Sequence, residues 1–271
     1  MPIYHFHKTS PVPGLLLFHM TIILFFVLHW YISLFFQSVF HHRYAAHRHF
    51  TMTRNWEKVF HIGSFITQGS SYISAYSYGI MHRLHHEHTD TEADPHSPTT
   101  HPNFWSMMLQ TRNNYINIFR GETSVPEKIK KDLPRWDAFD KIAHNWLTRV
   151  VWMILYAAIY MQFATAWWQY ILLPFTIIMG TLQGAVVNWW AHKFGYTNFE
   201  QDNTSKNIIP FDFIFWGESY HNNHHRYPGR VNYAHRWFEF DMGYYALSIM
   251  DKLKIVQLNQ SAAAAKKSLA E

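Results

Sequence analysis

Histidine is the residue type in this chain best suited to chemistry, because 21 of the 271 residues are histidines and many are clustered. Neutral imidazole binds iron, zinc, copper and nickel, and the absence of cysteine excludes thiolate metal sites. Eight imidazoles fall into three short clusters next to apolar stretches, and a further one follows the last long apolar stretch. The clusters are HRYAAH (His42 to His47), HRLHH (His82 to His86) and HNNHH (His221 to His225), and the separate histidine is His192.

The second and third clusters have the spacing of neighbours on a helix surface, since residues i, i+3 and i+4 share one face. The imidazoles of each cluster are therefore expected to turn toward a common point. Spacing of this kind, repeated beside apolar segments, favours a metal site over ordinary packing. The residues concerned are His82, His85 and His86 in one cluster, and His221, His224 and His225 in the other.

The first cluster and the separate histidine have different spacings. His42 and His47 are five residues apart, which is about 140° around an ideal helix. They are therefore expected either to serve different metals or to lie on an irregular helix. Asn188 precedes His192 by four residues, one helical turn, so we expect Asn188 to hydrogen-bond a metal-bound water.

The remaining histidines are assigned to ordinary structural roles. A lone histidine is usually a surface residue or one capped by a hydrogen bond, whereas one within an apolar span is packed or hydrogen-bonded. A different class of protein, a metal transporter or storage protein of the membrane, would also be rich in histidine, but its ligands should line a path through the spans. The surface or capped positions are His5, His7, His61, His101, His144 and His235, and the packed ones are His19 and His29.

Long apolar runs must position these clusters. Runs of about 20 residues or more can cross the ~30 Å hydrocarbon core of a bilayer as helices. We predict an all-α integral membrane protein with spanning helices over residues 14–40, 146–166 and 170–190. Residues 59–80 are apolar but rich in serine, which favours a non-spanning helix at the interface or buried against protein. If this segment does not cross, all three clusters lie on one side, in a helical cap.

The distribution of charge predicts which side that is. Of 23 lysines and arginines, only Lys8 precedes the first span, and none lies in the link between the last two spans. Because cytoplasmic loops are enriched in lysine and arginine, we predict cytoplasmic clusters and an outside amino terminus. A basic patch in the central loop, at Lys128, Lys130, Lys131 and Arg135, is a lid, a partner-binding face or simply solvated surface.

Composition narrows the class further. Hydrophobic residues make up 48% and charged residues 15%, against about 25% charged in soluble domains, which argues against disorder and a charged coiled coil. A net charge of +5 suggests a membrane surface rather than nucleic acid. We expect one domain over residues 1–271, with tails at 1–13 and 257–271.

With its three clusters, and with ADPH (Ala93 to His96) and NWWAH (Asn188 to His192), the sequence resembles the membrane-bound, histidine-box fatty acid desaturases, which include the stearoyl-CoA desaturases. The resemblance covers about Phe40 to Phe240. It implies a non-haem di-iron centre that uses O₂ to insert a double bond into an acyl chain. A fatty acyl or alkyl hydroxylase would use the same ligands, so this alternative stays open.

The resemblance also implies the site residues. Asn188 would act through water, and Asp90, Asp94 and Glu218 are candidates to orient the imidazoles from outside. The chain has no cysteine and no fused cytochrome b5 motif, so electrons are expected from a separate ferredoxin, rubredoxin or cytochrome b5 type protein. The implied iron ligands are His42, His47, His82, His85, His86, His192, His221, His224 and His225.

Two departures from the family bear on the fold and the substrate. The sequence has room for only one span before the first cluster, where other members have two. Members that use acyl-CoA carry an Arg-Asp pair before the second cluster, and Ile80 and Met81 stand there in this chain. The acyl carrier is therefore expected to be a lipid, coenzyme A or a carrier protein, with the coenzyme A case weakened.

Overall fold

The structure is a computed structural model that describes residues 13 to 259, and it is mostly helical with one small sheet. His5, His7, the side chain of His19 and most of the two predicted tails lie outside the described residues. The helices are α1 Pro13–Phe36, α2 Arg54–Gln68, α3 Ala75–His88, α4 Phe104–Arg120, α5 Glu127–Lys130, α6 Asp137–Ala143, α7 Trp146–Phe163, α8 Leu172–Ile177, α9 Met179–Trp190, α10 His221–Arg226 and α11 Met242–Lys252. The strands are β1 Phe50–Thr51 and β2 Gln257–Leu258.

The first helical segment is longer than predicted, because after Phe36 the chain changes from an α-helix to a π-helix instead of leaving the helix. Beyond α1 the chain continues as a π-helix over Gln37–Ala46, all of whose residues are buried, and this segment carries the first histidine cluster. Met20–Ala46 is long and apolar enough to cross a membrane, so the predicted end at residue 40 is six residues too early. His42 of the first cluster is thus part of the candidate span, and His47 follows directly after its end.

Residues 59–80 do not form the single helix that we predicted. The segment breaks after α2 into a 3₁₀ turn at Gly69–Ser71, and α3 begins at Ala75. Gly69 has a φ of +52°, a conformation that glycine tolerates more easily than other residues. Neither α2 nor α3 is among the candidate spans found in the described chain. The serines of the break are buried, as the polar content of this segment predicted.

The predicted span 170–190 is also not one straight helix. A 3₁₀ turn at Trp167–Ile171 leads into α8, and α9 departs from it with a 75° bend. At the bend, Ser70 donates to the carbonyl of Ile177 at 2.6 Å, and Ser71 accepts from the backbone N–H of Gly180 at 2.8 Å. Side chains from the broken segment therefore replace helix hydrogen bonds, a recognised cause of sharp bends.

The described chain contains two helices able to span a membrane, or three if the bent pair α8–α9 counts as one span. The polar part of the chain forms a second layer around the π-helix and α3. Its core includes Phe40, Phe50 and Leu247, which are fully buried. Strand β2 pairs antiparallel with β1, so the predicted tail begins with two ordered residues. This layer is where all the histidine clusters meet.

Candidate metal centre

The nine histidines predicted as ligands converge, and they do so in two groups. Within each group the candidate ligand atoms all lie within 4.8 Å of one another. One group has five members, which come from all three clusters, and the other has four, including the histidine outside the clusters. The five are His42, His47, His82, His86 and His224, and the four are His85, His192, His221 and His225.

The five-histidine group is built from Nε2 atoms that face each other. The Nε2 of His224 lies 3.1 Å from that of His42 and 2.9 Å from that of His86. The Nε2 of His82 lies 3.0 Å from that of His86 and 2.9 Å from that of His47. A chain of close nitrogen contacts therefore links all five rings.

The four-histidine group has the same construction. The Nε2 of His225 lies 3.3 Å from that of His85 and 3.0 Å from that of His221, whose Nε2 is 3.0 Å from that of His192. The two groups adjoin where the rings of His86 and His225 stack, with centroids 4.5 Å apart. The nine imidazoles form one continuous assembly with two foci.

These spacings fit a metal at each focus. A transition metal lies about 2.1 Å from an imidazole nitrogen, so two ligands at right angles are separated by about 3.0 Å. Neutral imidazoles that meet Nε2 to Nε2 cannot all satisfy one another, because each ring has one donor and one acceptor. An all-imidazole donor set suits iron, zinc, copper or nickel. Both groups therefore have the donors and the spacing that a metal ion requires.

The division between the groups runs through the clusters, which corrects the prediction that each cluster points to one place. On a helix, residues i+3 and i+4 lie about 60° and 40° to opposite sides of residue i. In the second cluster the pair i and i+4, His82 and His86, enters the five-histidine group and His85 enters the other. In the third cluster the pair His221 and His225 enters the four-histidine group, whereas His224 crosses to the five-histidine group.

The π-helix explains the spacing of the first cluster. His42 and His47 lie in the same group, and the backbone N–H of His47 donates to the carbonyl of His42 at 3.1 Å. Hydrogen bonds from i+5 to i stack residues five apart on the same side, and such segments are frequent at functional sites. Of our two alternatives, the irregular helix is the one observed.

Carboxylates hold three of the imidazoles from outside. The Nδ1 of His42 lies 2.5 Å from a carboxylate oxygen of Glu218, and the Nδ1 of His85 donates to Asp94 at 2.9 Å. The Nδ1 of His192 lies 3.6 Å from Asp90 and 3.1 Å from the hydroxyl of Thr204, which itself donates to Asp90 at 2.9 Å. Because an ionised carboxylate can only accept, each ring carries its proton on Nδ1 and turns the Nε2 lone pair toward the group. All three acids singled out from the sequence thus contact predicted ligands.

The charges of these acids follow their surroundings. Burial would raise the pKa of Glu218, but the attraction of His42 and Arg43 outweighs it and lowers the pKa. Burial of Asp90 is likewise outweighed by hydrogen bonds from His192 and Thr204, which lower its pKa. Burial raises the pKa of Asp94, even though both of its oxygens lie 2.9 Å from the Nδ1 of His85.

The imidazoles themselves are kept neutral. Burial, reinforced by neighbouring imidazoles, lowers the pKa of His82, His85, His221 and His224 well below its ordinary value. A neutral ring has a free lone pair, whereas a protonated ring cannot bind a cation. These four rings are therefore in the protonation state that metal binding needs.

Asn188 lies beside the assembly, as predicted. It lines a cavity of about 40 Å³ together with His42 and His82 of one group and His221 of the other. Leu34 of α1 also borders this cavity. The cavity therefore touches both groups on the side of the candidate spans, and its volume is enough for a water molecule.

The other histidines differ in how well they were predicted. His29 is packed and hydrogen-bonded as expected, because its Nε2 lies 2.6 Å from the carbonyl of Thr67. His101 is partly buried and capped, with its Nδ1 3.0 Å from the carbonyl of Ser97. His144 and His235 are half-buried, and His144 stacks on Phe119 with ring centroids 4.0 Å apart.

Sequence reasoning misjudged one histidine and overlooked another. His61 was predicted to be a surface or capped residue, but it is fully buried against Phe40, at a centroid distance of 4.8 Å, and neither of its ring nitrogens has a hydrogen-bond partner. His96 was noticed only as part of a motif, yet it is buried and stacks on His85 with centroids 4.3 Å apart. Together with Asp94 these two rings form a third cluster of possible ligand atoms. The ADPH motif was the signal that could have identified His96.

Comparison with known proteins agrees with this site. The family model "Fatty acid desaturase" matches residues 20–242, which include all nine histidines. This chain belongs to the fatty acid desaturase family. It is 27% identical over 235 residues to the sn-1 stearoyl-lipid 9-desaturase of Synechocystis sp., covering 84% of this chain and 69% of that one.

Two further relatives have names that differ in whether they state a substrate. The hex-5-enoyl-[acyl-carrier protein] acetylenase of Moorena producens is 27% identical over 244 residues, covering 84% of this chain and 73% of that protein. The Delta-9 desaturase-like 5 protein of Arabidopsis thaliana is 26% identical over 225 residues, covering 79% of this chain and 68% of that protein. The predicted family is confirmed, and the apolar helices of this desaturase are consistent with membrane association.

Proposed function

We propose that this desaturase inserts a double bond into a saturated acyl chain at two non-haem irons, one bound by each histidine group, within a single membrane domain. The observation that carries the proposal is the convergence of all nine Nε2 atoms onto two adjoining foci. Membership of the desaturase family indicates an acyl chain as the substrate. The imidazole nitrogens of the two groups support two iron sites. Asn188 would hold a water at the edge of the four-histidine group.

The residues of the chain prepare the site for this reaction. Two irons would supply the activation of O₂, which is needed because no side-chain base can remove a hydrogen from a saturated methylene. Glu218 and Asp94 fix the ring orientation of His42 and His85 through their Nδ1 hydrogens. Buried surroundings exclude water that would otherwise intercept reactive oxygen species. The protein therefore acts by orienting ligands, positioning the substrate and keeping the site dry.

The cavity beside both groups, about 40 Å³ in this structure, marks the point at which we propose that the reacting carbons of the acyl chain approach the irons. Its walls come from α1 and α9, where Leu34 and Val187 are apolar and Gly184 leaves room. We therefore propose that α1, α7 and the bent pair α8–α9 are three spans, with the reacting carbons held between α1 and α9. The histidine groups then lie at the cytoplasmic ends of these spans, on the side rich in lysine and arginine.

The acyl carrier is proposed to be a membrane lipid. Ile80 and Met81 are both buried, so the position before the second cluster presents no charge that could bind coenzyme A. The relative from Synechocystis sp. is named for an acyl-lipid substrate, whereas the one from Moorena producens is named for an acyl-carrier protein. The lipid is favoured because Leu34 and Val187, which belong to candidate spans, line the cavity. Electrons are proposed to come from a separate carrier protein.

One experiment tests the function directly. The desaturase is expressed in a host that lacks unsaturated acyl chains, and its lipids are analysed by mass spectrometry with double bonds located. Monounsaturated acyl chains should appear on intact lipids, and His224→Ala should abolish them while His101→Ala leaves them. Hydroxylated chains in place of unsaturated ones would support the hydroxylase alternative instead.

The topology has its own test. Reporter fusions at Asn55 and at His101 should report the same, cytoplasmic side, because both lie between the first span and the second. If the two fusions report opposite sides, residues 59–80 cross the membrane and the proposed arrangement is wrong.

A further inference from the structure

Three of the nine converging histidines differ from the rest in reaching the protein surface. His47, His86 and His225 are partly exposed. The other six are at most 4% exposed. His47 and His86 belong to the five-histidine group, and His225 belongs to the four-histidine group. Both groups therefore approach solvent through a small part of their ligand set.

The three exposed rings contact one another. The rings of His86 and His225 stack with an interplanar angle of 24°, and the ring of His47 meets that of His86 edge to face at 4.8 Å between centroids. This is also the place where the two groups adjoin. A single patch of surface, defined by these three rings, thus leads into both groups.

Basic side chains surround this patch. Arg226 directly follows His225 and is exposed. Arg83 projects from the helix of the second cluster and donates to the carbonyls of Ala46 and Lys131 at 2.7 Å and 2.6 Å. Arg48 follows His47 and lies over the ring of Tyr44 at 4.6 Å. Three arginines therefore stand at the edge of the patch, one beside each cluster.

The α5 segment adds further positive charge. Lys128 and Lys131 are exposed, and Lys128 forms an ion pair with Glu87, the neighbour of His86. Two other acids are close by: Glu127, which pairs with Lys130 at 2.9 Å, and Asp132, which attracts Arg83. The segments next to the patch thus carry six basic side chains and three acidic ones, which makes them basic on balance.

The segment before the third cluster contacts the first candidate span. The ring N–H of Trp216 donates to the carbonyl of Tyr31 within the first span at 3.0 Å. The preceding residues Phe211, Phe213 and Ile214 are exposed and apolar. Within the described residues, the ligand rings that are partly exposed are therefore the three that form this patch.

We propose that the patch formed by His47, His86 and His225, with its basic rim, is the docking site of a small acidic protein that carries one electron at a time. This inference rests on the proposed di-iron function. Reduction of O₂ to two waters takes four electrons, of which two leave with two hydrogens of the acyl chain. The other two come from two reduced carrier molecules, each of which is oxidised by one electron, with two protons from solvent. The patch provides charge complementarity and the shortest ligand path from the surface to both irons.

The test uses the full chain in detergent micelles, loaded with iron and supplied with substrate and O₂. Reduced plant-type [2Fe–2S] ferredoxin, an acidic protein, is the probe, and its oxidation is followed by absorbance. The double variant Lys128→Glu/Arg226→Glu should slow this oxidation at low salt by about tenfold, and the salt dependence seen with the unchanged protein should largely vanish. Lys141→Glu, on α6, is a matched control that should keep the original rate.

A second electron source separates the docking from the chemistry. Reduced methyl viologen is small and needs no docking surface, so double-bond formation driven by it should be unchanged in the double variant. Ferredoxin oxidation at the original rate, an equal loss in Lys141→Glu, or loss of both electron routes would overturn the docking proposal. If the unchanged protein with two irons forms no double bond even with methyl viologen, the proposed function fails instead.

Discussion

The converging histidines and the solitary buried histidines of this desaturase differ in where their ring nitrogens point. All nine converging rings turn Nε2 toward another Nε2 at 2.9 to 3.3 Å. His49 instead places its Nε2 2.8 Å from the carbonyl of Pro228, and neither nitrogen of His61 has a hydrogen-bond partner. Burial is common to both kinds. Convergence of donor atoms is what identifies the candidate ligands.

The two converging groups also differ from each other. The five-histidine group takes ligands from all three clusters, whereas the four-histidine group takes none from the first and is completed by His192. Asn188 stands near the smaller group, one turn from His192. The smaller group therefore depends on the bent helix pair, because Asn188 lies in α9 and His192 follows two residues after the end of this helix.

The largest effect is expected from removing a converging ring. His224→Ala deletes a ligand that contacts both His42 and His86, so desaturation should fall by more than about 100-fold, beyond the range for outer-shell changes. Metal content should fall toward one ion per chain. The measurement is product analysis together with mass-spectrometric metal analysis of the purified variant.

His49→Gln is the matched control for that prediction. It keeps a donor for the carbonyl of Pro228 and alters a buried ring that belongs to neither group. Full metal content and near-normal activity are expected. If the two variants lose metal equally, convergence does not distinguish ligands from structural histidines.

A smaller effect is expected from the acids that orient the rings. Asp94→Asn and Glu218→Gln keep the shape but remove the charge that fixes the Nδ1 hydrogen of His85 and His42. Loss of metal affinity or activity by about 10- to 100-fold is expected for each. Glu122→Gln, an exposed acid paired only loosely with Arg120, should have no effect. If all three variants bound metal with the same affinity in titrations, Asp94 and Glu218 would have no role in orienting the imidazoles.

Replacing Asn188 should reduce metal binding and activity less than replacing His192. Asn188→Ala removes a contact made through water, so metal should stay bound and activity should fall by about tenfold or less. His192→Ala should empty the four-histidine group. A variant series in which Asn188→Ala loses as much metal as His192→Ala would make the asparagine a direct ligand.

The smallest effect concerns stability and comes from the solitary His61. Burial, with repulsion from His41 and Arg54, lowers the pKa of His61 from 6.5 to about 3. Between these values the unfolded chain binds a proton that the folded chain does not, so stability falls as pH falls. At pH 5 the loss relative to pH 7.5 is about 2 kcal/mol.

His61→Leu should remove this pH dependence and the cost of two unpartnered nitrogens. Denaturant titrations in detergent should show that His61→Leu raises the free energy of unfolding, relative to the unchanged protein, more at pH 5 than at pH 7.5. Ile62→Leu, a neighbouring change without a titratable group, should leave the pH dependence as it was. If His61→Leu gained the same stability at both pH values, burial would not be what keeps the His61 ring neutral.

Much of the site was predictable because its signal is local. Spacing within the clusters and the position of His192 one turn after Asn188 are properties of the chain itself, and all nine rings are found together. The acids Asp90, Asp94 and Glu218 were also found, because residues near a ligand in sequence are often near it in space. Family motifs then supplied the chemistry that spacing alone leaves open.

The remaining features depend on contacts between distant segments. His85 joins the four-histidine group and His224 joins the five-histidine group, apart from the other ligands of their clusters. This division is decided by how α3 and α10 face each other. The bend after α8 arises where Ser70 and Ser71, more than a hundred residues earlier, replace its helix bonds. His61 looked like a solitary surface histidine because its partners, Phe40 and Trp136, lie on other elements. No local pattern carries this information.

The central claim, two metal sites of nitrogen ligands, is tested most directly by counting metal ions. Protein purified in detergent after expression with added iron is analysed by inductively coupled plasma mass spectrometry, with protein quantified by amino-acid analysis. Two transition-metal ions per folded chain are predicted, falling to one in His192→Ala and in His224→Ala. One ion or none in the unchanged, fully folded protein would contradict the account.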